Sequence, residues 1–346
     1  MRILSIQYIR ALAALMVVIF HLILQLDKMN FRGPHSEWLS SGVDLFFVVS
    51  GFIMWWTTDN RDMTPTQFLQ RRIHRIVPIY WAISSFYVFI LLVSPGLMQS
   101  GALDFRHVVA SFFFLPYPHP VSDQIWPLVP PGWTLNYEMF FYVIFAISLC
   151  LPQGPRLASL CAILVGLVAI GSVLDPSSVP GQFYTSSVLL EFLYGVLIAI
   201  LIGRGITMPV GLALPVMVLA FASLPLLQGL ATEDTRALWY GVPSALIVAA
   251  AVSFERRRQI PRHPGLLLLG NASYSLYLSH PIGVSVSGQI WRRLFGASDW
   301  VSASAFVVCG TLAATVVGLA CYRWVEVPLG RAFKPLLRPQ PRPTSV

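Results

Sequence analysis

The sequence predicts an all-α fold, a polytopic integral membrane bundle of about ten transmembrane helices with a short re-entrant or interfacial segment. Three observations predict it. Charged residues make up 11% of the 346 residues, where soluble domains carry about 25%, and the mean hydropathy is +0.69. Apolar runs long enough to cross a bilayer as helices recur along the whole chain. Lys and Arg gather on alternate connections between those runs, as the positive-inside rule requires of a spanning chain.

The spans read in order as 6–26, 40–57, 76–94, 132–151, 156–174, 185–203, 208–228, 236–253, 266–291 and 301–324. The stretch 105–116 (FRHVVASFFFLP) is apolar but too short to cross, so it is re-entrant or interfacial. The Pro-rich connection 117–131 follows it on the outer side. With the N-terminus placed in the cytoplasm, sixteen of the 23 Lys and Arg residues fall on inner segments. Six fall on outer segments, and Arg10 is the one left inside the membrane. Both termini are then cytoplasmic, which demands an even number of spans. Residues 1–330 form one membrane-embedded domain, and 331–346 a basic, Pro-rich cytoplasmic tail expected to be disordered. No cleavable signal peptide is expected, because the first run is long and holds Arg and His.

The net charge of +8 sits at span ends, which reads as topology and not as nucleic-acid binding. The four Cys lie in or beside spans without a CxxC or Cys/His cluster, so neither a disulfide framework nor a metal site is expected. No G-x-S-x-G elbow, HExxH, Walker A or GxGxxG stands in usable context, which disfavours soluble-type hydrolases and nucleotidases.

The chemistry concentrates in intramembrane polar residues. The first span, IQYIRALAALMVVIFHLILQL, carries Arg10 and His21. Eleven residues close about three turns, so the two share a face ~16 Å apart along the axis. A central Arg costs ~2.5–3.5 kcal/mol on insertion scales, so this face is expected to line a site. The bland readings are an assembly ion pair for Arg10 and an interhelical hydrogen bond for His21. Asp44 opens the second span at His21's depth, where a carboxylate would orient a general-base imidazole; a capping box Ser41–Asp44 is the competing reading. Arg71, Arg72 and Arg75 in FLQRRIHRIVPIYW are helix neighbours whose repulsion an anion would relieve, either a phosphate or a lipid headgroup. Glu138 in WTLNYE lies in apolar surroundings, with Trp133 and Tyr137 beside it as candidate substrate-binding residues. His280 precedes Pro281, whose ring opens a carbonyl that the imidazole can satisfy; it is also a candidate for substrate binding. Glu191 is a weaker candidate, and Glu326 is expected to pair with Arg323.

In sequence order, the R-x10-H pair, GVDLFFVVSGF, RRIHR before Pro-x-Tyr-Trp, WTLNYE, SYSLYLSHP and a closing E-x-P resemble the acyltransferase-3 family of bacterial membrane O-acyltransferases. The likeness runs from about residue 5 to 330, and the opening is most similar to the exopolysaccharide O-acetyltransferase branch. WTLNYE departs from many members in having Thr134 where they have Ser, which keeps the hydroxyl. The resemblance implies acetyl-CoA as a cytoplasmic donor cosubstrate, with no permanently bound cofactor. The implied acceptor is a hydroxyl of an exopolysaccharide or other cell-surface glycan, free or lipid-linked. It implies His21 as the essential His with Arg10 as partner, Asp44, Ser50, Gly51 and Phe52 as the second-span motif, Arg72 and Arg75 on the donor side, and Glu138 as the carboxylate after the Trp. The competing class is a transporter or flippase of a lipid-linked sugar, which also needs intramembrane charges but brings repeated halves with broken helices.

Overall fold

A computed structural model of the chain describes residues 3–31, 33, 36–59, 63–94, 103–122, 124–296 and 299–333. Among the described residues, ten long helices overlap the ten expected spans. They are α1 (Leu4–Asp27), α2 (Gly42–Thr58), α3 (Pro65–Val93), α5 (Trp133–Ser148), α6 (Gln153–Leu174), α8 (Leu189–Gly203), α9 (Val210–Leu227), α10 (Val242–Arg257), α11 (Pro264–Leu294) and α12 (Trp300–Cys321). Three short helices join them: α4 (Phe105–Phe112), α7 (Val179–Tyr184) and α13 (Val327–Ala332). No strand occurs among the described residues. Eight helical segments are long and apolar enough to cross a bilayer, so the protein is a multi-pass membrane protein. The other two are α5, which has 16 residues, and α11, which has 31 but interleaves Asn271, Ser273, Ser275, Ser279 and His280. The expected tail lies outside the described residues from 334 onward, and α13 carries the ordered chain past the expected boundary at 330.

Helix starts follow local chemistry. Thr64 and Gln67 form a reciprocal capping box at the Pro65 start, so α3 begins eleven residues before the expected span and Arg71 to Arg75 lie on its second and third turns. At the start of α1, the Glu255 carboxylate accepts from the Leu4 and Ser5 amides (2.8 and 2.7 Å) and from Ser5 Oγ (2.6 Å). A carboxylate at a helix N-terminus satisfies orphan N–H groups and meets the positive end of the dipole. It also ties the end of α10 to the start of α1.

α2 is the centre of the bundle: 78% of its apolar stretch is buried, against 11% for α6 and 17% for α9, which face lipid. Without water to drive helices together, small residues permit close backbone approach. A Cβ at Gly51 would fall 1.9 Å from the Phe192 carbonyl oxygen, and one at Gly195 would fall 2.0 Å from that of Val48, so α2 and α8 touch backbone to backbone. The stretch expected to be re-entrant is α4, and the chain after it dips into the bundle. Leu128, Val129, Pro131 and Gly132 are buried. Irregular backbone is tolerated at such depth only where protein satisfies it. Here Ser111 Oγ accepts from the Leu128 amide (2.8 Å), and the Trp126 carbonyl lies 2.8 Å from His107 Nε2.

Candidate active site

A cleft opens among α1, α2, α3, α5 and α11. Each helix contributes one face. From α2 come Val43, Phe46, Phe47, Ser50, Ile53 and Met54; from α5 come Thr134, Leu135, Glu138 and Tyr142. Steps of three and four, as in Val43, Phe46, Ser50 and Ile53 or Thr134, Glu138 and Tyr142, keep each set on one side of its helix. Arg10 enters from α1, Arg75 and Ile76 from α3, and Ser273, Tyr274 and Tyr277 from α11. Arg10 is 8% exposed, and Arg75 is exposed. The cleft therefore runs from an accessible cation at one end, past a buried one, to a hydroxyl lid at the other. In that lid, Thr134 Oγ1 and Tyr277 OH lie 3.1 Å apart, each within reach of the Pro131 carbonyl on the dipping loop (3.0 and 3.1 Å). Midway, Glu138 Oε1 accepts from Ser50 Oγ (2.7 Å) and from Tyr142 OH. Arg10 also feels the charges of Arg75, Glu326 and Glu138, so it is buried but not electrostatically isolated.

The three arginines of α3 separate. Arg75 lines the cleft, while Arg72 turns inward beneath Phe68 and Tyr142, its guanidinium carbon 5.4 and 6.0 Å from their ring centroids. Arg72 Nη2 reaches Thr57 Oγ1 at 3.5 Å. Arg71 is exposed and outside the cleft lining. Trp133 and Tyr137 also stand apart, on the stripe of α5 next to the cleft. They pack edge-on to Phe47, and Tyr137 stacks on Phe183 with centroids 3.7 Å apart. Glu326 accepts from Ser275 of α11, while Arg323, its expected partner, is exposed.

His21, expected to share the site-lining face with Arg10, is half-buried and outside the cleft lining, and its partner differs from the expected one. Asp44 is expected beside it at equal depth. Instead Asp44 shares a stripe of α2 with Val48, Gly51 and Trp55, the face that meets α8, and forms an ion pair with Arg236 (2.6 Å). Ser41 makes no side-chain cap bond, so the capping-box reading fails as well. Glu191 is fully buried beside this pair. Arg236 stands at the head of a π turn, Ala237–Gly241, leading into α10, and it also reaches the Ser40 carbonyl (3.2 Å). Sequence reading assigns Arg236 only to topology; the unmatched carboxylates at Asp44 and Glu191 were the signal for it. The residue beside His21 is His280, fully buried, with ring centroids 4.7 Å apart and Nε2 3.3 Å from His21 Nδ1. His21 Nδ1 is also 2.8 Å from the Val17 carbonyl, which only accepts. Nδ1 therefore carries the proton, and Nε2 keeps a lone pair.

The Asp44–Arg236 pair predicts a stability effect. Arg236→Met leaves Asp44 buried and unpaired and is expected to cost ~3–5 kcal/mol. Adding Asp44→Asn should recover most of it. Denaturation in detergent micelles measures both; equal midpoints for Arg236→Met and the parent would show that the pair carries no stability.

Comparison with known proteins gives one family and several relatives. Residues 3–323 match the family described as acyltransferase domain. The chain is 37% identical over 301 residues to the exopolysaccharide production protein ExoZ of Rhizobium meliloti, covering 86% of this chain and 92% of that protein. It is 26% identical to the acyltransferase MdmB of Streptomyces mycarofaciens, over 82% of this chain and 81% of that one. It is 25% identical to the O-acetyltransferase OatA of Staphylococcus aureus, over 93% of this chain but 56% of that longer protein. No solved structure matches it.

Proposed function

This chain belongs to the acyltransferase-3 family, and we propose that it is a membrane O-acetyltransferase that moves an acetyl group from acetyl-CoA to a hydroxyl of an exopolysaccharide or related cell-surface glycan. The observation that carries the reading is the cleft graded from Arg75 and Arg10 to the hydroxyl lid at Tyr277, whose ring lies 6.0 Å from that of His280, the neighbour of His21. An anionic donor with a long thioester arm fits such a gradient. Arg75 offers a guanidinium fork to the donor's phosphates at the face expected to be cytoplasmic, and the buried Arg72 adds positive charge behind it. The arm lies past Arg10, and the thioester reaches toward Tyr277. Multi-pass insertion in the inner membrane, with both termini cytoplasmic, is part of the same proposal.

The chemistry balances as follows. His21 Nε2 removes the acceptor's hydroxyl proton while that oxygen bonds to the acetyl carbonyl carbon. The carbon–sulfur bond then breaks, and the leaving CoA thiolate takes the proton back from His21. The same lone pair also suits His21 to take the acetyl group first and pass it on. Arg10 stabilises negative charge on the donor in a low-dielectric setting, where a fixed charge acts strongly. Glu138, held by Ser50 and Tyr142, balances Arg10.

The test uses the purified protein in lipid vesicles with labelled acetyl-CoA and a crude membrane glycan fraction. Transfer of label to glycan is the expected result. Absence of both donor consumption and donor binding overturns the reading in favour of sugar-lipid transport, which proceeds without acetyl-CoA.

A further inference from the structure

We infer that His280 is a positioning residue for His21, and that Pro281 sets its protonation pattern. The inference rests on the reading of His21 as the group that takes the acceptor's proton. In a helix, the carbonyl of Tyr277 accepts from the N–H of residue 281. Pro281 has no N–H, so that carbonyl is left open inside the bundle. His280 closes it: its Nδ1 lies 2.6 Å from the Tyr277 oxygen. A carbonyl cannot donate, so His280 Nδ1 carries the hydrogen and the neutral ring presents a lone pair at Nε2. That lone pair faces His21 Nδ1 at 3.3 Å. Two acceptors, the Val17 carbonyl and His280 Nε2, thus converge on one N–H of His21. The convergence holds the His21 ring in one orientation, with Nε2 pointing away from both.

The arrangement does for His21 what a carboxylate does in other catalytic histidines, without a net charge. When His21 gains a proton at Nε2, its Nδ1–H is already shared by two acceptors and no group needs to reorient. The device starts from the dipeptide His280-Pro281: the proline orphans a carbonyl, the carbonyl fixes one imidazole, and that imidazole fixes the second.

Three variants test it in the same vesicle assay, with 15N-histidine spectra of the protein in nanodiscs reporting which ring nitrogens carry hydrogen. His280→Leu removes the second acceptor at similar volume. It is expected to lower kcat by roughly 10- to 100-fold, with the KM for acetyl-CoA little changed. His280→Gln keeps an amide oxygen toward His21 and an N–H toward the Tyr277 carbonyl, and it should restore most of the rate. Pro281→Ala returns an N–H to that carbonyl, so the His280 resonances should show both tautomers. Parental kcat in His280→Leu overturns the inference, as does equal loss in the Leu and Gln variants. A His21 Nδ1 without hydrogen in the parent, or an unchanged His280 spectrum in Pro281→Ala, overturns it too. Full activity in His21→Ala refutes the functional reading itself. An inactive His21→Ala beside a fully active His280→Leu refutes only the role of His280.

Discussion

His21→Ala is expected to lower acetyl transfer by on the order of 10³-fold or more while leaving the protein folded. The size follows from what the residue supplies. A sugar hydroxyl is a poor nucleophile until its proton has somewhere to go, and positioned general bases contribute about 10²–10⁴-fold. If His21 also carries the acetyl group, the loss is larger, because the covalent route disappears with it. Stability should change little. His21 is half-buried at the end of α1, and its ring bonds reach only its own helix and His280. Donor binding is expected to survive, because Arg10 is about three turns away along α1 and Arg75 lines the cleft from another helix. A variant that binds acetyl-CoA, elutes as one species and transfers nothing supports the assignment. Full transfer by well-folded His21→Ala protein removes His21 from the chemistry and turns attention to Glu138, whose carboxylate lines the cleft.

How far the sequence reaches differs between backbone and site. The spans were legible because each is a long apolar run broken by Pro, Gly and charge. Even the non-crossing segment near Phe105–Phe112 declares itself through its length. The stripe of α5 that lines the cleft was half legible. Glu138 stood out as a carboxylate in an apolar run, but Trp133 and Tyr137, one residue round the helix from Thr134 and Glu138, look equally functional in a linear sequence. Asp44 shows the limit of reasoning from depth. Two residues at one depth on neighbouring helices meet only if their azimuths agree, and azimuth depends on which helices pack where. α2 meets α8 through Gly51 and Gly195, which turns Asp44 toward Arg236 and Glu191 and away from His21. The glycines were visible in SGF and LYG, but their reciprocal contact was not, because it joins residues 144 positions apart. The His21–His280 contact was hidden for the same reason, although the orphaned carbonyl before Pro281 was foreseeable from local geometry alone.

The same contact makes Gly51 the position where a small substitution should do most damage to folding. Gly51→Val is expected to leave little folded protein. Its Cβ alone would sit 1.9 Å from the Phe192 carbonyl oxygen, 2.8 Å from the carbonyl carbon and 3.0 Å from the Cα. The obstacle is backbone on a helix packed from both sides, so no rotamer change relieves it. α2 and α8 must part, and parting them undoes more than one contact. Gly195 loses its seat against Val48, and the stripe that carries Asp44 moves off its partners. Overpacking in a core typically costs ~1–3 kcal/mol, and an uncompensated buried charge ~3–5 kcal/mol. Together these approach the ~5–15 kcal/mol that holds a typical fold. The comparison is Gly166→Val on lipid-facing α6, where a Cβ meets nothing within 4 Å. Val is also a somewhat better helix former than Gly, so propensity does not oppose the change. Size-exclusion profiles and thermal aggregation in detergent should show Gly166→Val close to the parent and Gly51→Val aggregated. A monodisperse Gly51→Val protein melting within about 2 °C of the parent would mean that α2 and α8 do not need to touch. The orientation of Asp44 away from the cleft would then need another cause.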